Sequence, residues 1–187
     1  METKLRAYLI PNILAMVGTS CYVLADTFFI SMAAGSDGIT ALNLVLPLYG
    51  LIYALGAMVG VGCATRYSLK QAVQAHDAED YPCHAVAASL LISSFFVLSG
   101  IAFPDCVLRL LGADAQILAV GLPYIRIILC FAPFFLLNYT FTAFTRNHGA
   151  PKVAMAATLT SGIFNIIFDY VLMFPFGMGM AGAALAT

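Results

Sequence analysis

The stretch Ala150–Thr187, APKVAMAATLTSGIFNIIFDYVLMFPFGMGMAGAALAT, decides the fold. Its apolar run from Val153 to Phe174 is long enough, at 1.5 Å per helical residue, to cross a hydrocarbon layer of about 30 Å. Pro175-Phe176-Gly177-Met178-Gly179 then breaks the run, and a second apolar run of small residues begins at Met180. Within the first run Thr158, Ser161, Asn165 and Asp169 follow one another at spacings of three, four and four, which places them on one face of a helix. A carboxylate in the middle of an apolar span needs a counter-charge, a proton or water, because a bare charge there costs several kcal/mol.

The rest of the chain has the same character. Of its 187 residues 62% are apolar and 9% charged, with a mean hydropathy of +0.96. A water-facing domain carries about a quarter charged residues. The composition excludes such a domain and points to an integral membrane protein. Long unbroken apolar runs, rather than strict alternation, exclude a transmembrane barrel and leave helices. A net charge of −1 gives no footprint for nucleic acid. Cys21, Cys63, Cys83, Cys106 and Cys130 form no C-x-x-C pair, so they read as small buried or interface thiols, with no cofactor or metal beyond Na+ expected. The first apolar run is too long for a cleavable signal and lacks a small-residue cleavage site.

The expected fold is all-α: a polytopic bundle with complete spans at about 7–32, 39–65, 85–103, 116–145 and 153–174, and the start of a sixth at 180–187. Residues 33–38 read as a turn. Pro47 is expected to kink the second span, Pro104 to end the third, and Pro133 lies in the middle of the fourth. Gly56, Gly60 and Gly62 read as a small-residue face for close helix approach. The polar stretch from Arg66 to His84, with His76, Asp77, Glu79 and Asp80, reads as a solvated loop, not a metal site. With the N-terminus inside, Lys4, Arg6, Arg66, Lys70, Arg146 and Lys152 are cytoplasmic and only Arg109 lies in an outer loop, a strong positive-inside bias. Arg126, inside the fourth span, can snorkel to the outer interface. The expected location is therefore the cell membrane, multi-pass.

The first span carries a second polar stripe: Asn12, Thr19, Tyr22 and Asp26 at spacings of seven, three and four. Asp26 lies six residues before Met32, Asp169 six before Pro175, and Thr187 seven into the sixth span, so all three sit roughly 9–11 Å below the outer surface. Two aspartates at one depth repel as anions unless a cation or a shared proton lies between them. Asn165 adds a carbonyl oxygen and Thr187 a hydroxyl, both suited to a hard cation. Asp26, Asn165, Asp169 and Thr187 are the candidate site for H+ or Na+, with Asn12, Thr19, Tyr22 and Ser161 as pathway-lining candidates. The alternative is that each aspartate only hydrogen-bonds a neighbouring helix. An intramembrane aspartyl protease is disfavoured because no Gly-x-Gly-Asp surrounds either aspartate, and a serine protease because all three histidines lie in loops.

Three pieces of the chain also match a known family: Val23-Leu24-Ala25-Asp26-Thr27-Phe28-Phe29-Ile30, the Arg146–Lys152 turn, and above all Asn165-Ile166-Ile167-Phe168-Asp169 followed by Phe176-Gly177-Met178-Gly179-Met180-Ala181-Gly182-Ala183-Ala184. On these the chain resembles the N-terminal half of a MATE (multidrug and toxic compound extrusion) transporter of the bacterial and archaeal branch. The resemblance implies twelve helices in two six-helix lobes that rock around a central cavity and exchange H+ or Na+ for an exported organic, often cationic, compound. It places Asp26, Asn165, Asp169 and Thr187 at the cation site of the N-terminal lobe. It also implies that residues 1–187 are an incomplete lobe, either a fragment of a longer product or a truncated one. Its partners would be membrane lipid, small organic substrates and the missing C-terminal lobe. The competing expectations are a lipid-linked precursor flippase of the same superfamily, which would favour a cavity rich in arginine, and an inactive or interaction fragment.

Overall fold

The computed structural model describes residues 2–74 and 78–187, with side chains described from Leu9 onward. His76 and Asp77 of the polar stretch, and the side chains of Lys4 and Arg6, lie outside the described residues. The elements are α1 (Glu2–Ala72), α2 (Asp80–Ala102), α3 (Pro104–Leu110), α4 (Ala115–Cys130), α5 (Ala132–Asn147), α6 (Pro151–Met173) and α7 (Gly179–Ala186). Among the described residues there is no strand. The all-α membrane bundle expected from the sequence is the fold observed.

The breaks between helices follow from backbone chemistry. Helix α1 is divided by one residue, Gly35, at φ 61°, ψ −147°. Only glycine adopts that conformation readily. The expected six-residue turn is thus a single-residue break between limbs 2–34 and 36–72. The second limb keeps helical φ/ψ through Pro47. Phe103, at φ −142°, ψ 43° and so outside the helical region, separates α2 from α3 just ahead of Pro104. The side chain of Asp114 caps α4 by accepting from the Ile117 amide at 2.8 Å.

The fourth span is not one helix. It breaks at Phe131 into α4 and α5, which meet at 50°. Pro133 lies in the first turn of α5. Its ring would collide with the carbonyl four residues back, and it offers no N–H, so the helix restarts just ahead of it.

By length and composition three helices can cross a membrane, Leu9–Ala72, Asp80–Ala102 and Pro151–Met173, and the bent pair α4–α5 qualifies as one more span. A helix of 64 residues is about 96 Å long, some three bilayer thicknesses, so the break at Gly35 makes it two crossings. Side chains such as Met16, Leu24, Leu91 and Phe95 lie largely exposed around the outside. A surface of that kind suits lipid or another hydrophobic partner.

The packing sets the register of the site. A Cβ added at Gly56 would meet Leu136 and Tyr139, and one at Gly60 would meet Thr140 and Ala143, so the second limb and α5 run parallel. Gly162 of α6 packs on the ring of Tyr22 and Gly18 on Leu159, so the first limb and α6 also run parallel. Gly62 departs from the expected small-residue face, since nothing lies within 4 Å of a Cβ built there. Two residues along a helix is a turn of about 200°, which points Gly62 away from the interface that Gly60 occupies. The hydroxyls of Ser89 (α2) and Thr140 (α5) share a buried hydrogen bond of 2.9 Å. The main apolar core, including Ile30, Val45, Ile52, Leu108, Ile125 and Ile128, joins the two limbs to α3 and α4.

Candidate functional site

Helix α6 buries a stripe of Gly162, Asn165, Asp169 and Met173 at spacings of three, four and four. Gly162 is a point of close approach to α1, since a Cβ there would lie 3.1 Å from the Tyr22 ring. Asp26 follows Tyr22 by one turn. Asn165 and Asp169 follow Gly162 by one and two turns. Parallel packing therefore brings Asp26 alongside Asn165 and Asp169. The carboxyl groups of Asp26 and Asp169 lie within electrostatic range of each other.

These groups are buried and short of partners. Asp169 is 0% exposed and Asn165 6%. Both carboxyl oxygens of Asp169, Oδ1 of Asp26 and Oδ1 of Asn165 are buried without a hydrogen-bond partner. Native structures rarely leave buried polar atoms in that state, and functional sites are where they do. The amide nitrogen of Asn165 and the hydroxyl of Thr187 are engaged. Asn165 Nδ2 donates to Thr187 Oγ1 at 3.4 Å, and Thr187 Oγ1 donates to the Ala183 carbonyl at 3.0 Å. With its hydrogen turned to Ala183, Thr187 presents only lone pairs to the site. The amide likewise turns its NH2 to Thr187 and leaves its carbonyl oxygen free. The result is a cluster of hard oxygen acceptors: two carboxyl groups, one amide oxygen and one hydroxyl.

The remaining candidates divide. Tyr22 is half-buried against Gly162 beside Asp26. Thr19 is half-buried. Thr158 bonds back to the Ala154 carbonyl at 3.0 Å, and Ser161 is exposed on the flank of the buried stripe. Asn12 has its own buried, unpartnered Oδ1, but it precedes Asp26 by 14 residues, about 21 Å along the helix, and so belongs to the opposite end of the bundle. Arg126 is exposed on α4.

The structure adds two residues that the sequence did not single out, Tyr49 of the second limb and Tyr124 of α4. Their hydroxyls lie 3.5 Å apart, and Tyr124 is 1% exposed. Both are in electrostatic range of Asp26, and Tyr124 also of Asp169. Tyr53 and Tyr139 extend this aromatic wall, with ring centroids 4.8 Å apart and planes at 87°. A signal was available in the sequence: a buried tyrosine hydroxyl seeks a polar partner, and all four of these rings fall within expected spans.

The fold defines a class, the polytopic α-helical membrane proteins. The chain belongs to the MatE family, whose model matches residues 11–171. It is 33% identical over 186 residues to the multidrug export protein MepA of Staphylococcus aureus (strain NCTC 8325), covering 92% of this chain and 39% of that protein. Among solved structures it is similar to a multidrug resistance MATE family transporter of the MOP superfamily in an outward-facing conformation. That match has a TM-score of 0.89 and 26% identity, and covers 98% of this chain and 41% of the other. The MATE multidrug transporter DinF-BH in complex with R6G matches at a TM-score of 0.93 and 24% identity over 100% of this chain and 42% of the other, a likeness of fold. The chain thus spans about two fifths of the length of the relatives it matches.

Proposed function

We propose that this chain supplies the N-terminal lobe of a cation-coupled multidrug efflux antiporter. The lobe binds H+ or Na+ at Asp26, Asn165, Asp169 and Thr187, and rocks against a second lobe to export small organic, often cationic, compounds. In this reading it lies in the cell membrane with its N-terminus in the cytoplasm, as the basic residues Arg66, Lys70, Arg146 and Lys152 at one end of the bundle suggest. The observation that carries the proposal is the gathering of orphaned acceptor oxygens of Asp26, Asn165 and Asp169 from two helices at one depth. Four acceptors without donors, three of them on carboxyl groups, form a site that is completed by a proton or a small cation. Tyr49 and Tyr124 stand in electrostatic range of the Asp26 carboxyl.

Coupling follows from electrostatics. An empty site holds two carboxylates that repel in a medium poor in water. An arriving cation removes that repulsion and draws α1 toward α6. A lobe arrangement that brings a cationic substrate near the same carboxylates competes with the cation for them, which is the condition for exchange. The flippase alternative would favour several arginines along the spans, and the expected spans hold one, Arg126, exposed on α4.

The test is transport by the gene's full product in proteoliposomes, with Na+ and proton gradients imposed separately. One gradient should drive accumulation of a fluorescent organic cation, and Asp169→Asn should abolish the gradient dependence while the protein remains inserted and monodisperse. Gradient-driven transport that survives in that variant would sink the proposed site.

A further inference from the structure

An asparagine amide stands one helical turn from a carboxylate and does not bond it. Residues four apart on a helix are neighbours, so an NH2 at Asn165 can turn to Asp169. Both oxygens of Asp169 are nevertheless buried without a partner, and Asn165 Nδ2 donates instead to Oγ1 of Thr187, at the end of α7, at 3.4 Å. Thr187 Oγ1 in turn gives its hydrogen to the Ala183 carbonyl at 3.0 Å, and so accepts from the amide. This relay keeps the NH2 off Asp169 and leaves the amide oxygen unpartnered.

Backbone contacts between α6 and α7 set the register of the relay. The turn between the two helices uses Gly177 at φ 65° and Gly179 at φ 51°, a region that favours glycine. The Met178 amide closes the end of α6 by donating to the Leu172 carbonyl at 3.0 Å. Gly182 packs on that same peptide. A Cβ built there would lie 2.9 Å from the Leu172 carbonyl carbon and 3.1 Å from both the Leu172 oxygen and the Met173 nitrogen. Thr187 lies five residues beyond Gly182, about 7.5 Å along α7, and Asn165 lies seven residues before Leu172, about 10.5 Å back along α6. On the basis of the cation site proposed above, we infer that Gly182 is a positioning residue for that site. Its missing side chain lets α7 sit close enough to α6 for Thr187 to hold the Asn165 amide, which keeps Asp169 without a donor until a cation arrives. The margins are narrow. Relieving a 2.9 Å contact with backbone moves α7 outward by about 0.5 Å, and a hydrogen bond that starts at 3.4 Å is lost within a few tenths of an ångström. The freed NH2 then bonds Asp169, and the ion-free site has less need of a cation.

The experiment is thermal unfolding of the gene's full product in detergent, titrated with Na+ at fixed pH and stepped in pH without Na+, for wild type, Gly182→Ala, Thr187→Val and the double variant. Gly182→Ala should raise the half-saturating ion concentration about tenfold, the scale of one hydrogen bond to a charged group. Thr187→Val should do the same, and its ion-free Tm should not fall below that of the wild type, because the amide exchanges one partner for another. The double variant should bind no more weakly than the weaker of the two single variants. A residue that acts through Thr187 gives such non-additivity, whereas a glycine that merely stabilises the bundle gives effects that multiply. An unchanged ion response in Gly182→Ala, multiplied effects in the double variant, or an ion-free Thr187→Val protein that melts below wild type would each overturn the proposal. If Gly182→Ala does not yield monodisperse protein, Gly177→Ala takes its place. Open space surrounds a Cβ there, so only the backbone of the turn is strained. The same tenfold loss, non-additive with Thr187→Val, is expected of it, and an unchanged response counts against the proposal as before. A wild-type response that is absent, or that survives Asp169→Asn, overturns the cation site and this positioning role together. A response that needs Asp169 but not Gly182 overturns the positioning role alone.

Discussion

Asp169→Asn should stabilise the ion-free protein while removing its response to the ion. Asp169 is fully buried and neither of its oxygens has a partner. An unsatisfied buried polar group costs about 1–3 kcal/mol, and more when it is charged. The amide keeps the shape and removes the charge, along with the repulsion from Asp26. A gain of about 1–3 kcal/mol is expected, which for a chain of this size raises Tm by roughly 2–12 °C. The wild-type protein should reach comparable stability only when the site is filled. At an ion concentration a hundred times Kd, linkage supplies about 2.7 kcal/mol. The assay is thermal unfolding in detergent, titrated with Na+ at fixed pH and separately stepped in pH without Na+. The wild-type Tm should respond in one of these series, and the Asp169→Asn Tm should start higher and stay flat. If the variant is less stable than the ion-free wild type, Asp169 is a structural hydrogen-bond partner and the reasoning fails.

Other expectations follow from packing and from the tyrosines. A Cβ at Gly60 would lie 2.8 Å from the Thr140 Cα, a backbone atom that cannot turn aside, so Gly60→Ala should cost about 1–3 kcal/mol, whereas Gly62→Ala, with open space around it, should be neutral in the same melting experiment. Ser89→Ala and Thr140→Val each break the buried hydroxyl pair and should each cost about 0.6–2 kcal/mol, with the double variant costing less than their sum in a mutant cycle. Tyr124→Phe removes the hydroxyl paired with Tyr49 near both aspartates, and it should weaken apparent ion affinity several-fold while leaving protein yield unchanged.

Much of this architecture could be read from the sequence because lipid is a demanding solvent. A charge in an apolar run stands out, which is why Asp26 and Asp169 could be picked from spacing alone. Helical geometry then supplied Asn165, one turn from Asp169. The position of Thr187 followed from counting residues inward from the Gly177–Gly179 turn, and its hydrogen bond with Asn165 agrees with that count. What escaped has physical reasons too. Tyr49 and Tyr124 are amphipathic rings that fit equally well against lipid, core or site, and only tertiary packing chooses. The break at Phe131 is decided by a proline two residues downstream, so its position is less legible than its existence. Helix α3, seven residues long, is too short to show periodicity within the loop that hides it. Gly62 was grouped with Gly56 and Gly60 by proximity in sequence, although helical rotation places it on the other side.

The most direct test of the central claim is the stoichiometry of cation binding to the purified protein, measured as bound 22Na+ and as protons taken up or released when an organic cation is added. The account predicts a saturable cation signal in the wild type, for Na+ or for protons, that disappears in both Asp26→Asn and Asp169→Asn while the two variants keep their helical content. An undiminished signal in either variant would contradict a site shared between α1 and α6.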